Sequence, residues 1–129
     1  LHGVSNAFRF TGYVSYEELP ALYEEMGVFV APVWKESFGH VSVLAMNYGI
    51  PVVGYDVGGL AEILGTREWL APPGNGDRLA DMILDLLQDH AKCSSIGLIN
   101  KKRAQEKFSV ETMIECYREL YAKLLRPVQ

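Results

Sequence analysis

VFVAPVWKESFGHVSVLAMNYGIPVVGY, residues 28–55, carries two apolar runs separated by a polar loop and a helix-like segment. Residues 28–33 are apolar without alternation, the pattern of a parallel strand covered on both faces. The polar group Lys35-Glu36-Ser37 ends that run. Residues 40–48 then read as a helix that is apolar nearly all round and stops at Gly49. Residues 50–55 supply a second buried strand. Strand, helix, strand makes a βαβ unit, whose crossover is right-handed in almost every known case.

Working outward, residues 8–10 form a short apolar run stopped by Gly12, which predicts a strand whose edge is open to pairing with another chain. Ser15 followed by Glu18 is a capping box, and Leu19, Leu22, Tyr23 and Met26 recur at helical spacing. A helix over 15–26 is expected, with Pro20 tolerated near its first turns. Residues 56–59 make a glycine-bearing turn into a short helix ending at Ile63, and 68–71 predict a small edge strand before the Pro72-Pro73-Gly74 break. Three helices are expected beyond it, over 76–89, 91–106 and 110–125. The last, behind a Ser109 cap, carries Val110, Met113, Ile114, Tyr117, Leu120, Tyr121 and Leu124 on one stripe, a core or interface face. No repeat, low-complexity tract or linker interrupts the pattern. The fold class is therefore α/β, a Rossmann-like parallel sheet with flanking helices and a helical C-terminal tail.

A chain of 129 residues fits one domain, 1–129. Its hydrophobic share of 49% and charged share of 22% are those of an ordinary globular protein. A net charge of -4 argues against a nucleic-acid partner, since neutralising phosphates needs clustered cations. The basic group Lys101-Lys102-Arg103 with Lys107 reads as a solvated helix face. Cys93 and Cys116 have neither CxxC spacing nor disulfide-scaffold density, so buried or semi-buried free thiols in a reducing, cytoplasmic setting are expected. No run approaches the length of a transmembrane helix, and the chain opens at Leu1 rather than Met, as a fragment or processed form would.

Ligands of open parallel sheets bind beyond the carboxyl ends of the strands, which directs attention to residues 34–40 and 55–59. The first loop opens a helix, placing free backbone N–H groups and a positive dipole end beside a carboxylate, an arrangement suited to a diphosphate next to a polyol. The amides around Phe38, Gly39, His40 and Val41 would hold phosphate oxygens, Ser37 would join them in the donor-binding loop, and Glu36 would accept hydrogen bonds from sugar hydroxyls. An ordinary strand-to-helix turn with a solvated Glu accounts for the same local pattern. Gly58 and Gly59, just before Glu62, form a second short helix start able to close over a ligand, or simply a tight turn. His40 lies at the mouth of the cleft, where it is either a phosphate donor or acid or, having no paired carboxylate, a structural or incidental residue. His2 and His90 lie far from both loops. No metal-ligand spacing, P-loop, GxSxG or Cys/His pair is present, so no metal, no cofactor and no covalent nucleophile are expected.

Phe10-Thr11-Gly12-Tyr13-Val14, Glu18-Leu19-Pro20-Ala21-Leu22-Tyr23, residues 32–39, Ala45-Met46 with Gly49-Ile50-Pro51-Val52-Val53, and Gly58-Gly59-Leu60-Ala61-Glu62 follow one another at specific spacings. Together they resemble the C-terminal domain of the group 1 retaining glycosyltransferases of GT-B fold. The resemblance implies a hexosyltransferase whose nucleotide-sugar donor, a UDP-, GDP- or ADP-sugar, binds this domain. A separate N-terminal domain of the same protein would hold the acceptor and make any peripheral membrane contact. It also implies metal-independent transfer with retention at the anomeric carbon. In the family's motif of two Glu separated by seven residues, the first corresponds to Glu36, the catalytic position that contacts the transferred sugar. The second, which holds the ribose, falls on Leu44, a departure that removes a hydrogen bond worth about 1–3 kcal/mol. The family's basic Arg/Lys pair would precede Phe8, so the domain is expected to be truncated at its N-terminal side and inactive alone. A non-catalytic scaffold or nucleotide-binding relative is the alternative that Leu44 raises.

Overall fold

The computed structural model describes residues 3–125. Val52–Tyr55 (β2) runs between Phe29–Ala31 (β1) and Leu70–Ala71 (β3) in a parallel sheet of order β1-β2-β3. Phe29, Val30 and Ala31 pair with Val52, Val53 and Gly54, and Gly54 and Tyr55 pair with Leu70 and Ala71. Every residue of β2 is buried, which is why its sequence shows no alternation. His40–Asn47 (α2) is the crossover between β1 and β2, as the apolar-polar-apolar rhythm predicts.

Leu60–Leu64 (α3) and Gly76–Gln88 (α4) follow β2 and β3, and His90–Lys107 (α5) spans α2, α3 and α4. In α4 the buried residues are Leu79, Met82 and Leu86, one stripe at helical spacing, and the Asn75 side chain caps the helix by accepting from the Arg78 amide at 3.0 Å. Asp89 caps α5 in the same way through the Lys92 amide at 2.9 Å. Val110–Leu124 (α6) starts at Ser109, whose hydroxyl accepts from the Thr112 amide at 3.1 Å. No described helix is long and apolar enough to cross a membrane.

Four expectations change. Residues 8–10 form no strand: Phe10 is 93% exposed and its ring stacks on Phe8 at 6.3 Å, so no sheet edge lies there. Two phenylalanines on either side of the charged Arg9 bury too little to hold an extended segment against the sheet. The helix expected over 15–26 shrinks to Leu19–Glu24 (α1), because Pro20 has no N–H for an earlier turn. Ser15 and Glu18 keep one half of the capping box ahead of the shortened helix, with the Ser15 amide donating to Glu18 Oε2 at 3.1 Å. The Ser15 hydroxyl, then its amide, hold the Glu18 carboxyl below its usual range. The α6 stripe is not core: all seven apolar residues are exposed, and Tyr117 stacks on Tyr121. Cys93 is half-buried, with Sγ 3.5 Å from the Gly27 carbonyl, but Cys116 is exposed.

The tightest helix contact sits where α5 crosses the turn between α2 and β2. A Cβ on Gly97 would lie 2.0 Å from the Gly49 carbonyl oxygen, and buried Asn100 donates to the Ile50 carbonyl at 3.4 Å one turn later. Gly97→Ala is therefore expected to lower stability by about 1–3 kcal/mol through overpacking. Urea denaturation followed by far-UV circular dichroism checks this. A midpoint equal to wild type would show that α5 yields to a methyl group there.

Candidate functional site

The loops that leave β1 and β2 lie against each other, and glycines set their separation. Gly58 has φ +52°, and a Cβ there would fall 1.6 Å from the Glu36 carbonyl oxygen. Gly59 donates its amide to that same oxygen at 3.4 Å, and a Cβ on Gly59 would lie 2.8 Å from the Ser37 carbonyl. The Gly58-Gly59 pair thus lets two backbones touch. The segment is a tight turn, with the Leu60 amide donating to the Val57 carbonyl at 3.3 Å.

Gly39, buried, begins α2 with φ +92°, a left-handed conformation that side chains disfavour. Among the described residues no side chain caps α2, so the opening amides of this eight-residue helix have no side-chain acceptor there. The Glu36 side chain is folded over this point: its Cγ and Cδ lie 3.5 and 3.7 Å from where a Cβ on Gly39 would be. A half-buried carboxylate therefore sits beside the positive end of α2. Ile63 of α3 closes the other side of Gly39, its Cδ1 only 2.9 Å from that same Cβ position.

Ser37, Phe38, His40 and Val41 are exposed around this head, so each is reachable from solvent. Phe38 meets Phe108 edge to face at 5.8 Å between ring centroids. The Val41 carbonyl accepts from the Tyr23 hydroxyl at 3.3 Å, which ties α1 to α2. Burial, then the neighbouring Tyr48, push the Tyr23 phenol up, so it stays a neutral donor. Glu62 is exposed on α3, and its backbone carbonyl, with that of Ile63, is taken by Arg103. Arg103 is thus half-buried rather than part of a solvated basic face, whereas Lys101, Lys102 and Lys107 are exposed as expected.

Leu44 lies one turn beyond His40 on α2 and is half-buried. It borders a groove of about 490 Å³ whose walls include Phe38, His40, Phe108 and Met113. On its other side is a smaller notch with Tyr16, Pro20, Tyr23 and Tyr48. His90 begins α5, away from both loops, and His2 lies outside the described residues. Among the described residues no group of three or more His, Cys, Asp or Glu gathers to hold a metal ion.

Several participants carry no local sequence signal. Trp34 packs on Tyr55 at 5.9 Å and covers Gly74, where a Cβ would meet its ring at 2.9 Å. Asp56 pairs with Arg67 beside the second loop. Phe108 reaches Phe38 of the first loop, and Arg103 reaches the Glu62 and Ile63 carbonyls of α3, from far along the chain, a juxtaposition that periodicity does not encode.

A family model described as "Glycosyl transferases group 1" matches residues 1–89. The O-antigen chain mannosyltransferase B of Escherichia coli is 41% identical over 81 residues, covering 63% of this chain and 21% of that protein. The 2-deoxystreptamine glucosyltransferase of Streptomyces kanamyceticus is 37% identical over 91 residues, covering 69% of this chain and 24% of that protein. The solved structure of sucrose-phosphate synthase from Thermosynechococcus elongatus superposes with a TM-score of 0.81 at 32% identity, covering 93% of this chain and 32% of that one. The chain thus spans about a fifth to a third of the length of these relatives. Two abutting loops at the carboxyl ends of a parallel sheet, the matched 89 residues and the shared architecture agree: the chain belongs to the group 1 glycosyltransferases and folds as their GT-B C-terminal domain.

Proposed function

We propose that this domain binds a nucleoside-diphosphate-sugar donor at the head of α2 and serves a retaining hexosyl transfer to an acceptor held by another domain of the protein. The observation that carries the reading is the Glu36 carboxylate folded against Gly39, beside the uncapped amides of α2. Glu36 accepts hydrogen bonds from hydroxyls of the transferred sugar, and the amides at Gly39, His40 and Val41 take the diphosphate. As the glycosidic bond breaks, negative charge grows on the departing diphosphate, and the fixed positive end of α2 stabilises it without reorganisation and without a metal. His40, exposed at the same head, supplies a further donor to phosphate. Ser37, Phe38, Gly58, Gly59 and Glu62 complete the donor site. Free thiols at Cys93 and Cys116 fit a cytoplasmic site of action.

Leu44 supports a second reading, a relative that keeps the fold with weakened or lost donor affinity. A leucine there offers no acceptor to a ribose hydroxyl, and the smaller notch beside it is lined by Tyr16, Leu19, Pro20, Tyr23 and Tyr48, with no carboxylate to replace the missing one.

Thermal unfolding of the full-length protein with UDP, GDP, ADP and their sugars separates the two. Ligand at 100 times its Kd adds about 2.7 kcal/mol, a shift of several degrees. One nucleotide is expected to stabilise the protein, with its sugar form adding an increment that Glu36→Ala abolishes. No shift with any nucleotide would favour the scaffold. Leu44→Glu is expected to tighten the stabilising nucleotide on the order of tenfold by restoring a ribose acceptor. Unchanged or weaker binding would place the ribose elsewhere. Gly58→Ala, which forces a methyl into the Glu36 carbonyl, is expected to abolish donor binding as well as lower the unfolding temperature; retained affinity would show that loop contact is not needed for the site.

A further inference from the structure

We infer that Arg103 is a positioning residue for the loop that carries Glu36, acting through α3; the inference rests on the donor-site reading for its effect on activity. Arg103 stands on α5, far along the chain from that loop, and touches neither Glu36 nor the head of α2 in sequence or by hydrogen bond. Its Nε donates to the Ile63 carbonyl and its Nη2 to the Glu62 carbonyl, each at 2.7 Å. Those carbonyls belong to the last turn of α3, where a helix has acceptors to spare and a negative dipole end. Gly65 ends the helix at φ +71°, and a Cβ there would lie 2.5 Å from Arg103 Cζ, so the guanidinium is seated directly on the chain.

Five residues make too short a helix to hold a position by their own hydrogen bonds. Burial of Leu60, Ile63 and Leu64 keeps α3 on the core, and contacts along it set how it meets the loops. Its C-terminal end is gripped by the guanidinium fork of Arg103. Before its first turn the Gly59 amide donates to the Glu36 carbonyl at 3.4 Å, and from its last turn Ile63 Cδ1 presses against Gly39. Ile63 joins both contacts in one residue, its carbonyl held by Arg103 and its side chain backing Gly39. A shift of the grip is passed to the place where the Glu36 carboxylate meets α2. The planar fork is suited to two neighbouring carbonyls, whereas a lysine reaches one.

The test compares Arg103→Ala and Arg103→Lys with Asn100→Ala, which removes a different buried α5 hydrogen bond, that to Ile50, without touching α3. In the full-length protein labelled with 5-fluorotryptophan, the 19F resonance of Trp34 reports the loop two residues before Glu36, and that of Trp69 reports the core. Arg103→Ala is expected to move the Trp34 resonance in ligand-free protein well below the unfolding temperature and to raise the donor KM on the order of tenfold. Arg103→Lys restores part of both effects. Asn100→Ala lowers the unfolding temperature while leaving Trp34 and KM at wild-type values. A Trp34 resonance unmoved by Arg103→Ala, or moved equally by Asn100→Ala, overturns the inference. If wild-type protein binds no donor, the donor-site reading fails by itself, and the Trp34 resonance still decides whether Arg103 positions the loop.

Discussion

The arrangement depends on one backbone contact, that of Gly58 with the Glu36 carbonyl. Parallel strands deliver two loops to the same end of the sheet, but parallel topology alone does not bring them within van der Waals distance. Absence of a side chain at 58 and 59 does so, and the approach fixes the peptide of Glu36 from which the carboxylate turns back towards Gly39. The half-buried acid, the left-handed start of α2 and the short α3 all take their places from this junction.

Energetically the domain divides its tasks. The core of β2, α2, α3 and α4 is apolar and well covered, with Met46, Leu60, Ile63 and Leu86 essentially without solvent contact. Polar groups inside it are few and paired, as Asn100 shows. Adjacent to that rigid body, the head of α2 keeps amides that no side chain of the described residues claims. Helix-opening amides with no acceptor inside the helix are tolerated where solvent reaches the turn, as it does at His40 and Val41, and a bound anion would draw on them at little cost in reorganisation.

Much of this was legible from residue order. Two unbroken apolar runs around an apolar helix have few solutions other than a βαβ unit, and the caps at Asn75, Asp89 and Ser109 mark helix starts through their own side-chain chemistry. Residues 8–10 misled because β propensity in three residues carries no information about a partner. Of the two expectations for the α6 stripe, core or interface, exposure removes the first, because periodicity reports which residues share a face and not what covers it. At the site, Glu36, Gly39, Gly58 and Gly59 were identified from loop position and residue type, and their mutual contact is what the coordinates add. Trp34, Phe108 and Arg103 were not legible: their roles arise from tertiary approach, in Arg103's case across a run of lysines that looked uniformly solvated.

The exposure of α6 has a consequence for how the molecule breathes. A 15-residue helix with none of its residues buried gains little from packing, and in water its own hydrogen bonds leave it close to the margin of stability. Its backbone amides will therefore exchange with solvent through local fraying, at a free energy far below that of global unfolding. The amides of β2, covered on every side, open only when the whole sheet does. The polypeptide thus behaves as two cooperative units of unequal depth, a slow sheet and a fast terminal helix, joined at Phe108.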